Sequence, residues 1–525
     1  MPFSSESGKA SIAWALARMP VPKTALDIGC GQGTYAKMFP KLQWTGVEIW
    51  EPYVEKYGLA DLYPILEITD VRNWDTFGHY DLCFLGDVLE HMTKDEARVL
   101  VQNAKRWADT VVISIPLGHY PQGEYEGNPY EAHVTDNWTD ADVRQAFGEP
   151  TWSDIDQEIG VYIYSKHEVR LKIAVYAISK NEKHFVERFC NSAKDADVIL
   201  IADTGSDDGT AEEAARCGAA VASIYINPWR FDHARNATLA LLPRDIDVCV
   251  SLDLDEMLEP GWREEIQRVW TPRTTRLRYF FDWGAGIRFK YEKIHARKGY
   301  FWHHPCHEYP VADGRVTEDW ADTDMLLVSH HPDPTKSRGQ YIDLLALSVK
   351  EDPHCPRNAF YYARELTFNY RWHDAIQELH RYLALPGATW QNERCYAYRL
   401  LGKAHGELGD PWQSEKYYQL AAGEATGTRE PWCELALLYY RQHRWPDCYA
   451  AAMRALEIKD KQLVYTCDPA VWGHWAHDLA SISAWNMGMK DVAREQAKIA
   501  VELSPNDGRL RANLAFMTED KQEAA

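Results

Sequence analysis

Thr24-Ala25-Leu26-Asp27-Ile28-Gly29-Cys30-Gly31-Gln32-Gly33 is a short apolar run that ends in an acidic residue and three alternate glycines. Such a run, closed by glycines and followed by a helical pattern, reads as a strand, a tight turn and a helix. Glycines at this turn let the backbone approach a ligand closely. Working outward, further apolar runs stand at Leu42–Glu48, Tyr80–Leu85 and Thr110–Ile115, each separated from the next by a helical stretch. Their continuous apolar character suits strands of a parallel sheet buried on both faces. The charged stretch His167–Arg170 is the expected junction. Beyond it the alternation begins again, with strands expected at Lys172–Ile178, Asp197–Ala202, Ala219–Ile224 and Asp247–Leu252. After Tyr341 strand signals vanish, and the remainder is helical and rich in Ala, Leu, Tyr and Trp.

The chain has 525 residues, more than one hydrophobic core usually holds, so three domains are expected, at 1–168, 169–340 and 341–525. The formal charge is −21, with 78 acidic against 57 basic residues. Such a balance opposes non-specific binding to nucleic acid or an anionic membrane. No apolar run reaches membrane-spanning length, and the polar start Met1–Lys9 lacks the basic and apolar regions of a secretory signal. The eleven cysteines are scattered and never spaced C-x-x-C, which fits reduced thiols in a cytoplasmic protein.

At the amino-terminal site, Glu48 ends the second strand, where a carboxylate can accept both ribose hydroxyls of a nucleoside. Asp70 closes the third strand–helix unit, where it can take an adenine amino group, and Asp87-Val88-Leu89-Glu90-His91 follows the next strand. Together these residues resemble a class I S-adenosylmethionine methyltransferase over about residues 20–165. The resemblance implies a Rossmann-like domain in which Asp27, Gly29, Gly31, Gly33, Glu48, Asp70 and Asp87 line the cofactor. A dinucleotide-binding domain is the competing possibility, but there the first acid lies away from the glycine turn, whereas Asp27 sits within it. The sulfonium already carries an activated methyl group, so catalysis is largely positioning. His91 and His133 are candidate bases, and either is equally a structural histidine.

In the central region Ser179-Lys180-Asn181-Glu182 follows the first strand and Asp203-Thr204-Gly205-Ser206-Asp207-Asp208-Gly209-Thr210 the second. Asp253-Leu254-Asp255-Glu256 follows the run 248–252, and His307-Glu308 and His330-His331 lie further on. Alternating carboxylates at a strand end project to one side and offer hard oxygen ligands to Mn²⁺ or Mg²⁺ that also holds a diphosphate. In order and content these elements resemble a family 2 glycosyltransferase of GT-A fold. That resemblance implies that Glu182 and Asp203 contact the nucleoside and that Asp253 contacts ribose or metal. It also implies that Asp255 ligates the metal together with one of His330 and His331. Arg235, within Trp229–Asn236, is a candidate diphosphate contact or an ion-pair partner. Glu308 and Glu256 are candidate general bases for an inverting displacement. Trp302–His307 also admits a zinc site, although its ligands are crowded for one.

Behind Tyr341 the starts of second helices, at Asp374, Ser414, Asp447 and Asp491, step by 40, 33 and 44 residues. Paired helices near this period resemble a tetratricopeptide array. Most aromatics there belong to the repeat core, and some can line a groove for a peptide or oligosaccharide. The expected function is therefore bifunctional. The chain would transfer a sugar from a nucleotide-sugar donor, most naturally a UDP-sugar, to a protein or glycan acceptor, and would methylate that sugar or a related acceptor. Two other classes remain open: a glycosyltransferase that modifies a DNA base, which the acidic balance opposes, and a scaffold in which one catalytic domain has decayed.

Overall fold

The computed structural model describes residues 6–284, 286–333, 339 and 341–519. The chain divides into two compact units, Met1–Leu171 with Trp270–Arg273, and Lys172–Val269 with Thr274–Ala525. Both hold a mixed α/β sheet, and the second also contains the helical carboxyl-terminal region.

The first unit is built on seven strands: β1 (Thr24–Ile28), β2 (Gln43–Glu48), β3 (Ile65–Ile68), β4 (Tyr80–Gly86), β5 (Ala108–Pro116), β6 (Trp152–Asp156) and β7 (Ile159–Ser165). Their spatial order is β3-β2-β1-β4-β5-β7-β6. The strands from β1 to β5 pair in parallel, whereas β7 runs antiparallel to both β5 and β6. The order reverses at β1, which opens a crevice beyond the carboxyl ends of β1 and β4. Helix Lys94–Trp107 shows why the flanking layer forms. Thr93 and Glu96 make a reciprocal capping box, and Ala97, Leu100, Val101, Ala104 and Trp107 recur on the face that packs on the sheet. Near the carboxyl end of this unit, Arg273 makes two hydrogen bonds, of 2.9 and 2.7 Å, to the buried carboxylate of Asp154.

The sheet of the second unit comprises β8 (Ile173–Ser179), β9 (Val198–Asp203), β10 (Ala220–Ser223), β11 (Val248–Ser251), β12 (Glu256–Leu258), β13 (Arg276–Gly284), β14 (Ile287–Ala296) and β17 (Trp320–His330). Strands β15 (Tyr300–His303) and β16 (Tyr309–Ala312) form a separate hairpin. The order is β10-β9-β8-β11-β14-β13-β17-β12, with β8 parallel to both β9 and β11. All seven residues of β8 are buried. This sheet also reverses direction, at β8, so the chain ends of β9 and β11 flank that of β8.

From Tyr341 onward every regular element among the described residues is helical. Antiparallel pairs follow one another: Pro356–Phe368 with Trp372–Ala384, Gln391–Glu407 with Pro411–Glu424, Glu430–Arg441 with Trp445–Glu457, and Trp475–Asn486 with Lys490–Leu503. The longest step in the sequence, 44 residues, contains segment 458–474, an insertion between the third and fourth pairs whose Tyr465 packs against Trp390 and Phe289. Among the described residues no helix is long and apolar enough to cross a membrane. All eleven cysteines are free thiols.

Candidate active sites

In the first unit β1 delivers Asp27, only 2% exposed, to the switch-point crevice. Burial pushes its carboxyl up to about 7, against the opposing effect of a hydrogen bond from the Tyr63 hydroxyl. Glu48, at the end of β2, accepts from the backbone N–H of Gly31 at 2.9 Å through one oxygen and from that of Trp50 at 2.9 Å through the other. It therefore ties the glycine turn to the neighbouring strand end, and burial raises its carboxyl. Gly29, Gly31 and Gly33 have φ of 69°, 51° and 70°. A β-carbon at Gly29 would lie 2.7 Å from Val88 Cγ2, so the turn is both left-handed and closed to any side chain there. Asp87 follows β4 with φ of 54°, and its backbone N–H donates to Ser114 O at 2.8 Å. Asp70 caps the turn Val71–Asn73, where the Arg72 backbone N–H and guanidinium both donate to its carboxylate, which they hold below the usual range.

His91 and His133 stand together, with ring centroids 5.0 Å apart. Burial lowers His91 to about 4. Two groups not singled out from the sequence also belong here. Tyr63 is one, because its hydroxyl reaches back across 36 residues to Asp27. The other is Glu90, buried beside the histidine pair. Glu90 sits within the Asp87–His91 block, so its position was visible and its burial was not.

In the second unit two adjacent strand–helix turns are stitched together. Thr204 N–H and hydroxyl both donate to Ser179 O, Lys183 N–H donates to Asp208, and Asn181 receives Asp207 N–H. Asp203 ends β9 and accepts from Gly205 N–H, Ser206 N–H and the Ser206 hydroxyl, so its carboxylate also shapes the turn. Glu182 is buried at the start of helix Lys183–Ser192, its N–H donating to Thr210 Oγ1.

The acidic triplet departs from the simple alternation expected of it. Strand β11 stops at Ser251, and Asp253–Asp255 lie in a turn, so the two aspartates face different partners. Asp253 accepts from Arg235 at 2.5 Å and from Lys293 at 3.2 Å, and these cations hold its carboxyl far below the usual range despite desolvation. Asp255 lies 3.4 Å from His330 Nε2. His330 is flanked by the rings of Trp283 and Phe281, and its buried Nδ1 has no hydrogen-bond partner among the described residues. His331 is exposed, and only its backbone N–H reaches Asp255, at the carbonyl.

Arg235 is 3% exposed and pairs with Glu308 as well as Asp253. Glu256 is buried against Lys293 and, by desolvation, sits at about 7. Lys293, in the middle of β14, was missed because a lone lysine in a strand gives no local signal of its charged partners. At the proposed zinc segment, His303, His304 and Asp352 bring ligand atoms within 4.8 Å of one another. Asn358 Nδ2, however, donates to both Ser348 O and His304 Nδ1. The ring proton of neutral His304 is therefore on Nε2, which points to Cys355 Sγ at 3.9 Å, and the ring is satisfied without a metal.

No family model and no curated protein matches this sequence. Solved structures do align with parts of it. The APC/C hetero-tetramer Cut9–Hcn1 aligns at 17% identity and a TM-score of 0.29, over 35% of this chain and 33% of that one. YrrB, a TPR protein with an unusual peptide-binding site, aligns at 14% identity and a TM-score of 0.28, over 34% of this chain and 84% of that one. The N-terminal domain of EvdMO1, solved in the presence of SAH and D-fucose, aligns at 16% identity and a TM-score of 0.24, over 30% of this chain and 82% of that one.

Proposed function

We propose that this chain is a bifunctional transferase of three domains, at about 1–168, 169–340 and 341–525. The first would be a Rossmann-like methyltransferase domain, the second a GT-A glycosyltransferase domain and the third a tetratricopeptide-like array. The observation that carries the glycosyltransferase assignment is the Asp255–His330 pair at the carboxyl edge of the second sheet, with its buried, unpartnered imidazole nitrogen. Strands β9 and β11 flank β8, so Asp203 and the acidic turn stand about two strand spacings apart, roughly 10 Å, at one edge. That separation suits a nucleoside at one end and a diphosphate at the other.

Asp255 and His330 would hold Mn²⁺ or Mg²⁺, which when bound neutralises charge on a departing diphosphate. Asp253 pairs with Arg235 and Lys293, so two cations, balanced by neighbouring carboxylates, would stand near a bound UDP-sugar. Glu308, kept in place by Arg235, is the first candidate to take the acceptor proton, with Glu256 second. Thermal unfolding of the full chain with UDP-sugars and Mn²⁺ tests this assignment. A rise in Tm that disappears in Asp255→Ala is the expected result, and UDP-sugars that leave both chains unmoved would overturn it.

For the methyltransferase half, the left-handed glycine turn bound to Glu48 supports S-adenosylmethionine as the ligand. The cofactor supplies an activated methyl group on its sulfonium. Glu48 would receive the ribose hydroxyls, and Asp70 would give up Arg72 to take the adenine amino group. The order of the first sheet, with antiparallel β7 between β5 and β6, also departs from the 3-2-1-4-5-6 order of dinucleotide folds. Titration calorimetry of the full chain with S-adenosylhomocysteine should show one binding event per chain. The absence of heat from a folded chain would remove the assignment.

A further inference from the structure

Glu90, His91 and His133 each bring one ligand atom within 4.8 Å of the other two. We propose that they form a second metal site, for a divalent first-row transition ion, which holds the oxygen of a hydroxyl-bearing acceptor at the mouth of the first unit's crevice.

Three observations converge. Glu90 is 2% exposed, and its buried Oε2 has no hydrogen-bond partner among the described residues. A carboxylate oxygen withdrawn from water is costly without a cation or donor, so the position calls for a ligand. Second, each imidazole is held on one side by a backbone carbonyl. Nδ1 of His91 lies 3.2 Å from Ala132 O, and Nδ1 of His133 lies 2.6 Å from Tyr120 O. A carbonyl oxygen only accepts, so both Nδ1 atoms carry the proton and both neutral rings keep their lone pair on Nε2. Metal-binding imidazoles are commonly held in this way, the far nitrogen fixed by a backbone carbonyl. Third, the frame is braced. Val134 and Thr135 N–H both donate to Glu90 O at 2.9 Å, and the Thr135 hydroxyl donates to Met92 O at 2.8 Å. The loop that carries His133 is therefore pinned to the turn that carries Glu90 and His91.

Two imidazoles and one carboxylate favour Mn²⁺, Fe²⁺, Co²⁺ or Zn²⁺ over the all-oxygen preference of Ca²⁺. Three protein ligands leave open positions, and the two histidines are partly exposed, so an acceptor oxygen can enter from solvent. The acceptor role, unlike metal binding itself, rests on the methyltransferase reading above. In that role the bound hydroxyl loses its proton to water. Its electron pair then forms the O–CH3 bond as the S–CH3 bond of S-adenosylmethionine breaks, and that pair remains on the sulfur of the thioether product.

The free-ion EPR signal of Mn²⁺, titrated against the full chain, counts the ions bound. His133→Gln, on a surface loop, and Glu90→Gln should each bind Mn²⁺ at this site at least about tenfold more weakly, whereas Asp255→Ala should retain it. Circular dichroism shows whether each variant is folded, and His133→Gln keeps the test decisive if Glu90→Gln is not. The proposal is overturned if folded His133→Gln binds as many ions as the parent chain with unchanged affinity. Calorimetry with S-adenosylhomocysteine on the same proteins separates the two ideas. Loss of Mn²⁺ in His133→Gln supports the metal site whether or not that ligand binds, and failure of the ligand to bind even the parent removes only the acceptor role.

Discussion

Arg235 lies between Glu308 and Asp253, while Lys293 bridges Asp253 and Glu256. Two cations and three carboxylates thus share one partly buried network, which removal of a single member leaves unbalanced. Arg235→Met should cost about 3–5 kcal/mol, because the buried Glu308 carboxylate would lose its cation. Urea unfolding followed by tryptophan fluorescence measures this, and a change below about 1 kcal/mol would show that the network relaxes freely. In the first unit Asp27 titrates at about 7 when folded against 3.8 as a model carboxyl. Between those values the folded chain holds a proton that the unfolded chain has released. This group's stabilisation is therefore full below about pH 4 and is lost as the pH rises through 7. Asp27→Asn should flatten that part of the Tm-against-pH curve, and an unchanged slope would contradict the burial argument. Asp27, Glu48 and Asp203 were legible in the sequence because each stands at or next to the end of an apolar strand. Tyr63, Lys293 and the pairing of Arg235 were not, since each acts on a partner 18 or more residues away.

The turn between β1 and the next helix shows why some elements can be read locally. Gly29 has φ of 69°, and a β-carbon there would lie 2.7 Å from Val88 Cγ2. Gly29→Ala should therefore lower the Tm by several degrees and weaken S-adenosylhomocysteine binding together, because it strains both the turn and its packing on the residue after Asp87. Calorimetry and a thermal melt on one preparation check both effects, and an unchanged Tm would show that the turn can open. Strands buried on both faces, such as β1, β5 and β8, announce themselves as unbroken apolar runs. Strand β3 was given no bounds and was implied only by Asp70 at the close of the third strand–helix unit, because Ile65, Glu67 and Ile68 are exposed at the sheet edge. Strands β13, β14 and β17 escaped for a different reason. They are ladders of alternating charge, with Lys290 bonded to Asp322 and Asp324 and Arg276 to Glu318, and such runs resemble solvated loops until their partners are known. The helical pairs were legible from their period, whereas segment 458–474 was not, because its role is to return Tyr465 to the face of the preceding pairs.

Within the second unit the helices and the sheet share a core, which bears on where the chain can be cut. Helix Tyr341–Glu351 and its successor pack Leu344, Leu345 and Tyr361 around Cys306, with Trp229 and Phe231 from the sheet-bearing part of the unit. Tyr361 stacks on His307 at 4.0 Å, Arg357 donates to His307 O, and Lys461 donates to Gly286 O at 2.7 Å. Tyr361 and Arg357 thus hold His307, next to Glu308, so the helical array braces the proposed base. A chain of residues 169–340 would expose that apolar seam and free the 307–308 turn. It should be insoluble or melt well below residues 169–525 expressed alone, because burial of these aromatics contributes about 1.5–3 kcal/mol per side chain. Solubility and circular dichroism of the two fragments decide the matter. Equal stability of the short fragment would mean that the helices are an appendage to the sheet.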